Sequence, residues 1–182
     1  VCYNGDPSVI GSSADAGGGD GIITYKWESS LNGFATAGSE IIGATGSTYD
    51  PGVLIQTTSY RRYAKDATCN TIFAASTGTW VVTVRPNFIA GAIATGGEQI
   101  CNNGDPALIG STSPASGGDG ILSYMWQSST DESFTSPVNI SSNTETYDPP
   151  GGLTVTTWYR RVGLSTNVII CTATTNSYKV TV

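Results

Sequence analysis

The strongest constraint on the fold of this chain is an internal duplication of its sequence. The motif Cys-x-Asn-Gly-Asp-Pro begins at Cys2 and returns at Cys101, 99 residues further along a chain of 182 residues. Gly-Gly-Asp-Gly, Thr-Tyr-Asp-Pro and Tyr-Arg-Arg recur in the same order and at nearly the same spacing. A repeat of this length is too long for a solenoid and is typical of tandem domains. We therefore predict two similar domains, residues 1–85 and 86–182.

Both repeats have the sequence pattern of an all-β domain. Short runs rich in Val, Ile, Tyr, Trp and Thr are separated by clusters of Gly, Ser, Thr and Asn, and no stretch keeps a helical period. Polar and apolar residues alternate around Trp27 and Trp126, which places Tyr25 and Tyr124 on the same faces as these tryptophans. We expect all four aromatic residues to lie in the hydrophobic cores. The spacing of the strands predicts a β-sandwich in each repeat.

Charge and composition argue against several classes of function. Eight Lys and Arg residues are set against fourteen Asp and Glu residues, for a net charge of −6, so the basic surface that binds nucleic acid is missing. No apolar run approaches the roughly 20 residues that span a bilayer, and we expect no membrane insertion. The chain has no histidine, and no serine or threonine has a recognisable base partner. We therefore expect neither an enzyme nor a bound cofactor.

Each repeat contains one early and one late cysteine. Their equivalent positions predict one disulfide in each domain, Cys2–Cys69 and Cys101–Cys171, and hence an oxidising, extracellular environment. Zinc binding is the alternative use of four cysteines, but the chain has no Cys-x-x-Cys pair and no histidine. We therefore expect disulfides rather than a metal at these positions.

Residues 88–99 form a segment that only the second repeat has. They have the pattern of an opening strand before Cys101, whereas Val1 alone precedes Cys2. We expect the chain to be a piece of a longer array, in which a further strand covers the sheet edge beside residues 79–84. That strand would come from the preceding part of the same polypeptide or from a neighbouring subunit.

Six aspartates recur at equivalent loop positions and are candidate metal ligands. One interpretation is a calcium ion held by loop carboxylates, because calcium prefers several oxygen ligands from flexible loops. The other is ordinary turn formation, in which Asp beside Gly or Pro accepts backbone N–H bonds. The chain has no Asp-x-Asp-x-Asp-Gly run, which favours the turns. The six residues are Asp6, Asp20, Asp50, Asp105, Asp119 and Asp148.

The double arginine of the Tyr-Arg-Arg motif is a second candidate for chemistry. Neighbouring residues of a strand point to opposite faces, so one arginine of each pair is expected to lie along or under the sheet. We expect this arginine to pair with one of the recurring aspartates. Because the pair is present in both repeats, a structural role is favoured over ligand binding.

Three aromatic residues differ between the repeats and are candidate ligand contacts. Trp80, Trp158 and Tyr63 each stand where the other repeat has a different residue, so the common core does not require them. Exposed aromatic rings stack on sugars, and surface polysaccharide is therefore a possible partner. Packing against a neighbouring domain explains the same residues. The alternative function is thus a carbohydrate-binding accessory domain of a secreted polysaccharide-degrading enzyme.

Both repeats carry Tyr-x-Trp-x-Ser-Ser, Thr-Tyr-Asp-Pro, Thr-Thr-x-Tyr-Arg-Arg and a closing Val-Thr-Val in this order. This set resembles the Ig-like or PKD-like repeats of very large secreted surface adhesins of Bacteroidetes, such as gliding-motility adhesins, over nearly the whole chain. The resemblance implies Ig-like sandwiches, export by type IX secretion and neighbouring repeats of the same filament as partners. From it we expect a spacer module with a mechanical role in cell-surface adhesion.

Overall fold

The computed structural model describes the whole chain, Val1–Val182, and confirms the prediction of an all-β protein. The chain divides into two compact units. The first comprises Val1 and Tyr3–Arg85, and the second comprises Cys2 and Pro86–Val182. Cys2 belongs with the second unit because it is bonded to Cys171. The chain contains no helix that is long and apolar enough to cross a membrane.

One five-stranded antiparallel sheet organises the first unit. Its strands are β1 (Ile23–Ser30), β2 (Ser39–Glu40), β3 (Thr58–Asp66), β4 (Ala74–Ala75) and β5 (Trp80–Val82). Strand β1 lies between β2 and β3, and β3 also pairs with β4 and β5 at different positions along its length. Because β5 pairs only with the first three residues of β3, it marks one end of the unit.

The second unit has a related five-stranded sheet and a small additional one. Its strands are β6 (Ala92–Ile93), β7 (Glu98–Gln99), β8 (Ser111–Ser113), β9 (Leu122–Ser129), β10 (Val138–Ile140), β11 (Thr157–Ser165) and β12 (Cys171–Thr181). The order in the main sheet is β10-β9-β11-β12-β7, and β6 pairs with β8 separately. Strand β12 is continuous over the stretch where the first unit has the two short strands β4 and β5.

The hydrophobic cores of the two units are built from equivalent residues. Side chains from one face of each main sheet pack against residues of segments outside the sheet. Isolated β-bridges hold these segments in place, such as Ile10–Tyr49 in the first unit and Ile109–Tyr147 in the second. The buried cluster of the first unit is Ile10, Trp27, Tyr60 and Val82, and that of the second is Ile93, Ile109, Trp126, Tyr159 and Val180. The second cluster therefore contains one residue, Ile93, that has no counterpart in the first.

The two tryptophans and the two tyrosines predicted as core residues differ in burial. Trp27 is 3% exposed and Trp126 is fully buried, and each indole N–H donates to a backbone carbonyl inside its unit. Tyr25 and Tyr124 are only half-buried and lie outside the clusters, so their prediction as core residues is wrong. The reason is that a buried guanidinium group occupies the space beside each tyrosine ring, 4.9 Å and 4.7 Å from the ring centroids.

Candidate functional site

One arginine of each Tyr-Arg-Arg motif is buried beneath its sheet. In the second unit the side chain of Arg161 is fully buried and donates four hydrogen bonds. The acceptors are the carbonyl oxygens of Ala90 (3.0 Å), Ser113 (2.9 Å) and Glu145 (2.6 Å) and the hydroxyl of Ser111 (2.9 Å). Removal from water lowers the pKa of Arg161, but a guanidinium group keeps its charge in proteins. Arg161 therefore holds three separate backbone segments together.

Arg62 has the same position in the first unit but fewer partners. It donates to the carbonyl oxygens of Ser47 (2.8 Å) and Ala14 (2.9 Å), and the carboxylate of Asp15 lies 3.5 Å away. Asp15 is exposed and is not one of the recurring aspartates. The predicted pairing of the inward arginine with a recurring aspartate is therefore wrong in both units. The guanidinium groups of Arg62 and Arg161 end beside the backbone of the segments that fold over the sheet. Carbonyl oxygens of that backbone are therefore their main acceptors.

An open groove lies beside Arg62, and we call it the first-unit groove. It is lined by residues 11–14 and 76–80 together with Ile10, Trp27, Tyr60 and Arg61 and Arg62, and it encloses about 230 Å³. Residues 11–14 belong to no strand, and the side chain of Trp80 at the rim is 57% exposed. The groove therefore exposes an unpaired length of backbone and the ring of Trp80, whereas the core residues that line it are almost fully buried.

The disulfide of the chain joins Cys2 to Cys171, whose Cα atoms are 5.7 Å apart. Cys69 and Cys101 are exposed thiols. The predicted pairings Cys2–Cys69 and Cys101–Cys171 are therefore wrong. The bond instead connects the early cysteine of the first sequence repeat with the late cysteine of the second.

The strand geometry of the first unit explains why its own two cysteines cannot pair. The nitrogen of Val1 donates to the carbonyl oxygen of Thr83 (2.8 Å), and the carbonyl oxygen of Val1 accepts the N–H of Arg85 (2.9 Å). Cys2, the next residue, therefore lies beyond the end of the unit that β5 marks. Cys69 lies at the opposite end of β3, where its N–H donates to the carboxylate of Asp66 (2.8 Å). The nine residues of β3 span about 26 Å. A disulfide requires Cα atoms within about 7 Å of each other.

The second unit separates its own cysteines in the same way. Cys171 is the first residue of β12, and Thr181, near the end of the chain, is its last. Gln99 pairs with Thr181, so Cys101 lies beyond the far end of that strand, about 30 Å from Cys171. In both units the early and the late cysteine therefore lie at opposite ends. In this chain the early Cys2 instead bonds Cys171, the late cysteine of the other repeat.

The six recurring aspartates do not come together. No group of three or more His, Cys, Asp or Glu side chains in the chain could hold a metal ion. Asp20 accepts the N–H of Ile22 (2.9 Å) and Asp50 that of Gly52 (3.3 Å), as aspartates in turns do. The other exposed members of the set are Asp6, Asp105 and Asp148.

Asp119 holds the loop that follows β11. Its carboxylate accepts the hydroxyl of Ser165 and the backbone N–H groups of Asn167 (2.7 Å) and Val168 (3.0 Å). The hydrogen bond from Ser165 is the main reason that the pKa of Asp119 falls to about 2. Since each of these bonds favours the ionised carboxylate, the loop is stabilised only when Asp119 is charged.

The first unit makes the same connection with the roles exchanged. Asp66 stands at the position of Ser165 and accepts the backbone N–H groups of Asp20 (2.9 Å), Thr68 (3.0 Å) and Cys69 (2.8 Å). The bond from Cys69 is the largest cause of the lowered pKa of Asp66. A carboxylate therefore anchors the loop after the central strand in both units, but a different residue carries the charge.

We expect Asp119→Asn to destabilise the chain at neutral pH and to lose this effect in acid. The folded-state pKa of Asp119, about 2, lies below its ordinary value of 3.8, so the folded state binds fewer protons than the unfolded state. The stabilisation is therefore fully present above about pH 4 and is lost as the pH falls towards about 2. Urea denaturation of the unmodified chain and of the Asp119→Asn variant at several pH values measures the difference in their free energies of unfolding. Asp148→Asn, in an exposed loop, is the matched control, and a pH-independent loss for Asp119→Asn would contradict the prediction.

The three candidate ligand-facing aromatics have different surroundings. Trp80 is the exposed ring at the rim of the first-unit groove. The hydroxyl of Tyr63 donates to Glu28 (2.8 Å), and its ring is only partly exposed. The ammonium of Lys179 lies over the ring of Trp158, 5.1 Å from the centroid. Of these three residues, only Trp80 thus presents a free aromatic face to a ligand.

Comparison with known families gives one match. The family model described as "Domain of unknown function (DUF8696)" matches the chain twice, over residues 1–86 and 89–182. Because the two matches cover nearly the whole chain, the protein belongs to this family and contains two copies of its domain. No curated protein matches the chain.

Proposed function

We propose that this chain, with its two DUF8696 domains, is a structural spacer module of an extracellular bacterial adhesin or surface filament. Each unit is, in this proposal, an Ig-like sandwich of the kind that the sequence motifs resemble, exported by type IX secretion. The disulfide supports a location in an oxidising environment outside the cytoplasm. The partners would be neighbouring repeats of the same polypeptide or filament.

The covalent connection between the two sequence repeats is the observation that carries the proposal. The bond between Cys2 and Cys171 encloses a sequence separation of 169 residues. A chain pulled at its ends transmits force along the shortest covalent path, which runs through this bond and bypasses the residues between the two cysteines. The folded units would therefore carry little of the load. A stalk that keeps its length under tension needs this property.

Single-molecule pulling at the two ends of the chain tests the proposal. We expect the oxidised chain to show no unfolding step from the enclosed residues, because the disulfide carries the force. After reduction, the 169-residue separation should release an additional extension on the order of 600 Å. The double variant Cys69→Ser/Cys101→Ser keeps the bond and should behave as the unmodified chain. Equal extension before and after reduction would contradict the load-bearing role.

A carbohydrate-binding accessory domain is the alternative function, and Trp80 supports it. Its exposed ring lies at the rim of a groove, where a sugar could stack. Tyr63 and Trp158 add little to this interpretation, because a carboxylate and an ammonium group already contact them. One free ring is a weaker basis for function than a covalent bond between repeats.

A further inference from the structure

The second unit has a strand in the place of the first-unit groove. Residues 89–94 run antiparallel to residues 110–116: Ile89 exchanges two backbone hydrogen bonds with Ser116, and β6 pairs with β8. Residues 110–113 are the counterparts of residues 11–14, which line the groove. Backbone that is paired in the second unit is therefore available for pairing in the first.

The side chain that fills this place in the second unit is Ile93. It is completely buried and packs against four residues that correspond one by one to the buried cluster of the first unit. Three members of that first cluster, Ile10, Trp27 and Tyr60, line the groove. The floor of the first-unit groove thus has the composition of the surface on which Ile93 is seated, although these three residues are almost fully buried already.

The hydrogen bond between the strand and Arg161 in the second unit has no equivalent at Arg62 in the first. Arg161 donates to the carbonyl oxygen of Ala90 in the strand, in addition to its bonds within the rest of the unit (3.0 Å). Arg62 is nine-tenths buried, lines the groove and has no acceptor in this position. No side-chain nitrogen of Arg62 is both buried and unpartnered, so a carbonyl oxygen in this position would add a hydrogen bond to those that Arg62 already makes. Arg62 is therefore placed to bind the backbone of an added strand.

The close approach of the strand restricts which sequences can occupy such a groove. Gly91 has φ of +72°, and a Cβ added there would lie 2.2 Å from the carbonyl oxygen of Ser113. Ala90, next to it, is also buried. The occupant is thus an extended segment with the pattern small residue, Gly, small residue, large aliphatic residue, as in Ala90 to Ile93.

Two differences between the units affect how tightly the first-unit groove would hold a strand. The side-chain amide of Asn176 bonds both the N–H and the carbonyl oxygen of Ile93 (3.1 Å each), whereas the first repeat has Gly78 in that position. The loss of this clamp weakens binding. Trp80 stands where the second unit has the half-buried Tyr178, so it offers a larger apolar surface that an added strand would cover.

We propose that the first-unit groove binds an extended segment of the Ala90–Ile93 pattern, supplied by another repeat of this family, as an added β-strand. The strand would pair with residues 11–14, place its aliphatic side chain on the groove floor and give a carbonyl oxygen to Arg62. This interaction goes beyond the spacer function and does not depend on it. It assigns strand addition as a means by which one repeat recognises another.

A synthetic peptide of residues 86–99, added to the whole chain, tests the proposal. The second unit already holds this segment, so we expect one peptide per chain, with a Kd in the micromolar range by calorimetry. Hydrogen exchange should slow at residues 11–14 and 77–80, and the fluorescence of the exposed Trp80 should shift to the blue as its ring is covered.

Two altered peptides are the matched controls. Ile93→Asp would bury a charge on the apolar floor and should weaken binding at least about 100-fold. Gly91→Val should weaken it similarly, because a side chain at this position has no room. The proposal is overturned if the parent peptide does not bind at about 1 mM, if both altered peptides bind equally well, or if exchange slows at residues 110–116 instead.

Discussion

Trp126→Ala is expected to lower the free energy of unfolding of the second unit by about 3–5 kcal/mol. The indole is fully buried, stacks on Tyr147 with 5.4 Å between ring centroids and donates to the carbonyl oxygen of Thr144 (3.0 Å). Truncation to Ala would remove the packing contacts, leave a cavity and strand a carbonyl without its donor. Since small domains are stable by only about 5–15 kcal/mol, the second unit should approach unfolding.

Trp158→Ala is the matched control for this prediction. Trp158 lies on the neighbouring strand β11 but is only partly buried, with Lys179 over its ring. Its truncation should cost less than about 1 kcal/mol. Denaturant unfolding followed by calorimetry and fluorescence compares the two variants. The unfolding transition of the first unit should stay unchanged in both, because its buried cluster shares no residue with that of the second. Equal losses for the two variants would contradict the assignment of Trp126 to the core.

The all-β architecture was predictable from sequence because strand patterns are local. Alternating residues around Trp27 and Trp126 have the two-residue period of a half-buried strand, and the structure has β1 and β9 over these residues. A large indole in the middle of such a pattern is costly to leave in water. The pattern could not show that Tyr25 and Tyr124 cover an arginine, because that depends on residues of another strand.

The partners of the inward arginines could not be read from the sequence. A guanidinium group and a set of recurring aspartates suggest ion pairs, since opposite charges are visible in a sequence. Backbone carbonyl groups are present at every residue and carry no such signal, yet Arg161 bonds three of them. Asp20, Asp50 and Asp119 instead accept N–H groups of nearby loop backbone. Which acceptor lies nearest is decided by how the loops fold over the sheet.

The disulfide pairing predicted from the equivalent positions of the cysteines was wrong for a geometric reason. Duplicated units require equivalent partners, but pairing within a unit and pairing shifted by one repeat both satisfy this requirement. The length of the central strands decides between them, because it separates the early and the late cysteine by about 26–30 Å in each unit. The direction of the strand beside each cysteine was the missing information.

The sequence predicts only part of the first-unit groove. The sequence pattern predicts an opening strand over residues 88–99 of the second repeat. It does not indicate that Ile93 belongs to the same cluster as Trp126, or that Gly91 is required by the carbonyl oxygen of Ser113. These contacts join residues that are distant in the chain, and only the fold brings them together.

Removal of the disulfide should reduce stability by about 2–5 kcal/mol, because the bond restricts a very long loop in the unfolded chain. The variant Cys2→Ser/Cys171→Ser removes the bond, and Cys69→Ser/Cys101→Ser changes the same number of cysteines but leaves it intact. Only the first should lower the free energy of unfolding, since Cys69 and Cys101 are exposed thiols. Reduction should bring the unmodified chain to the level of the first variant and leave that variant unaffected.

Peptide mapping without reduction establishes the connectivity behind this difference. We expect a single linked pair that joins the peptides of Cys2 and Cys171, with Cys69 and Cys101 free to react with a thiol reagent. A linked pair of Cys2 with Cys69 would require the two ends of β3 to meet, which its length of about 26 Å forbids. Finding that pair, or an equal loss of stability in the two double variants, would contradict the strand arrangement of the first unit. It would also remove the covalent path on which the load-bearing role depends.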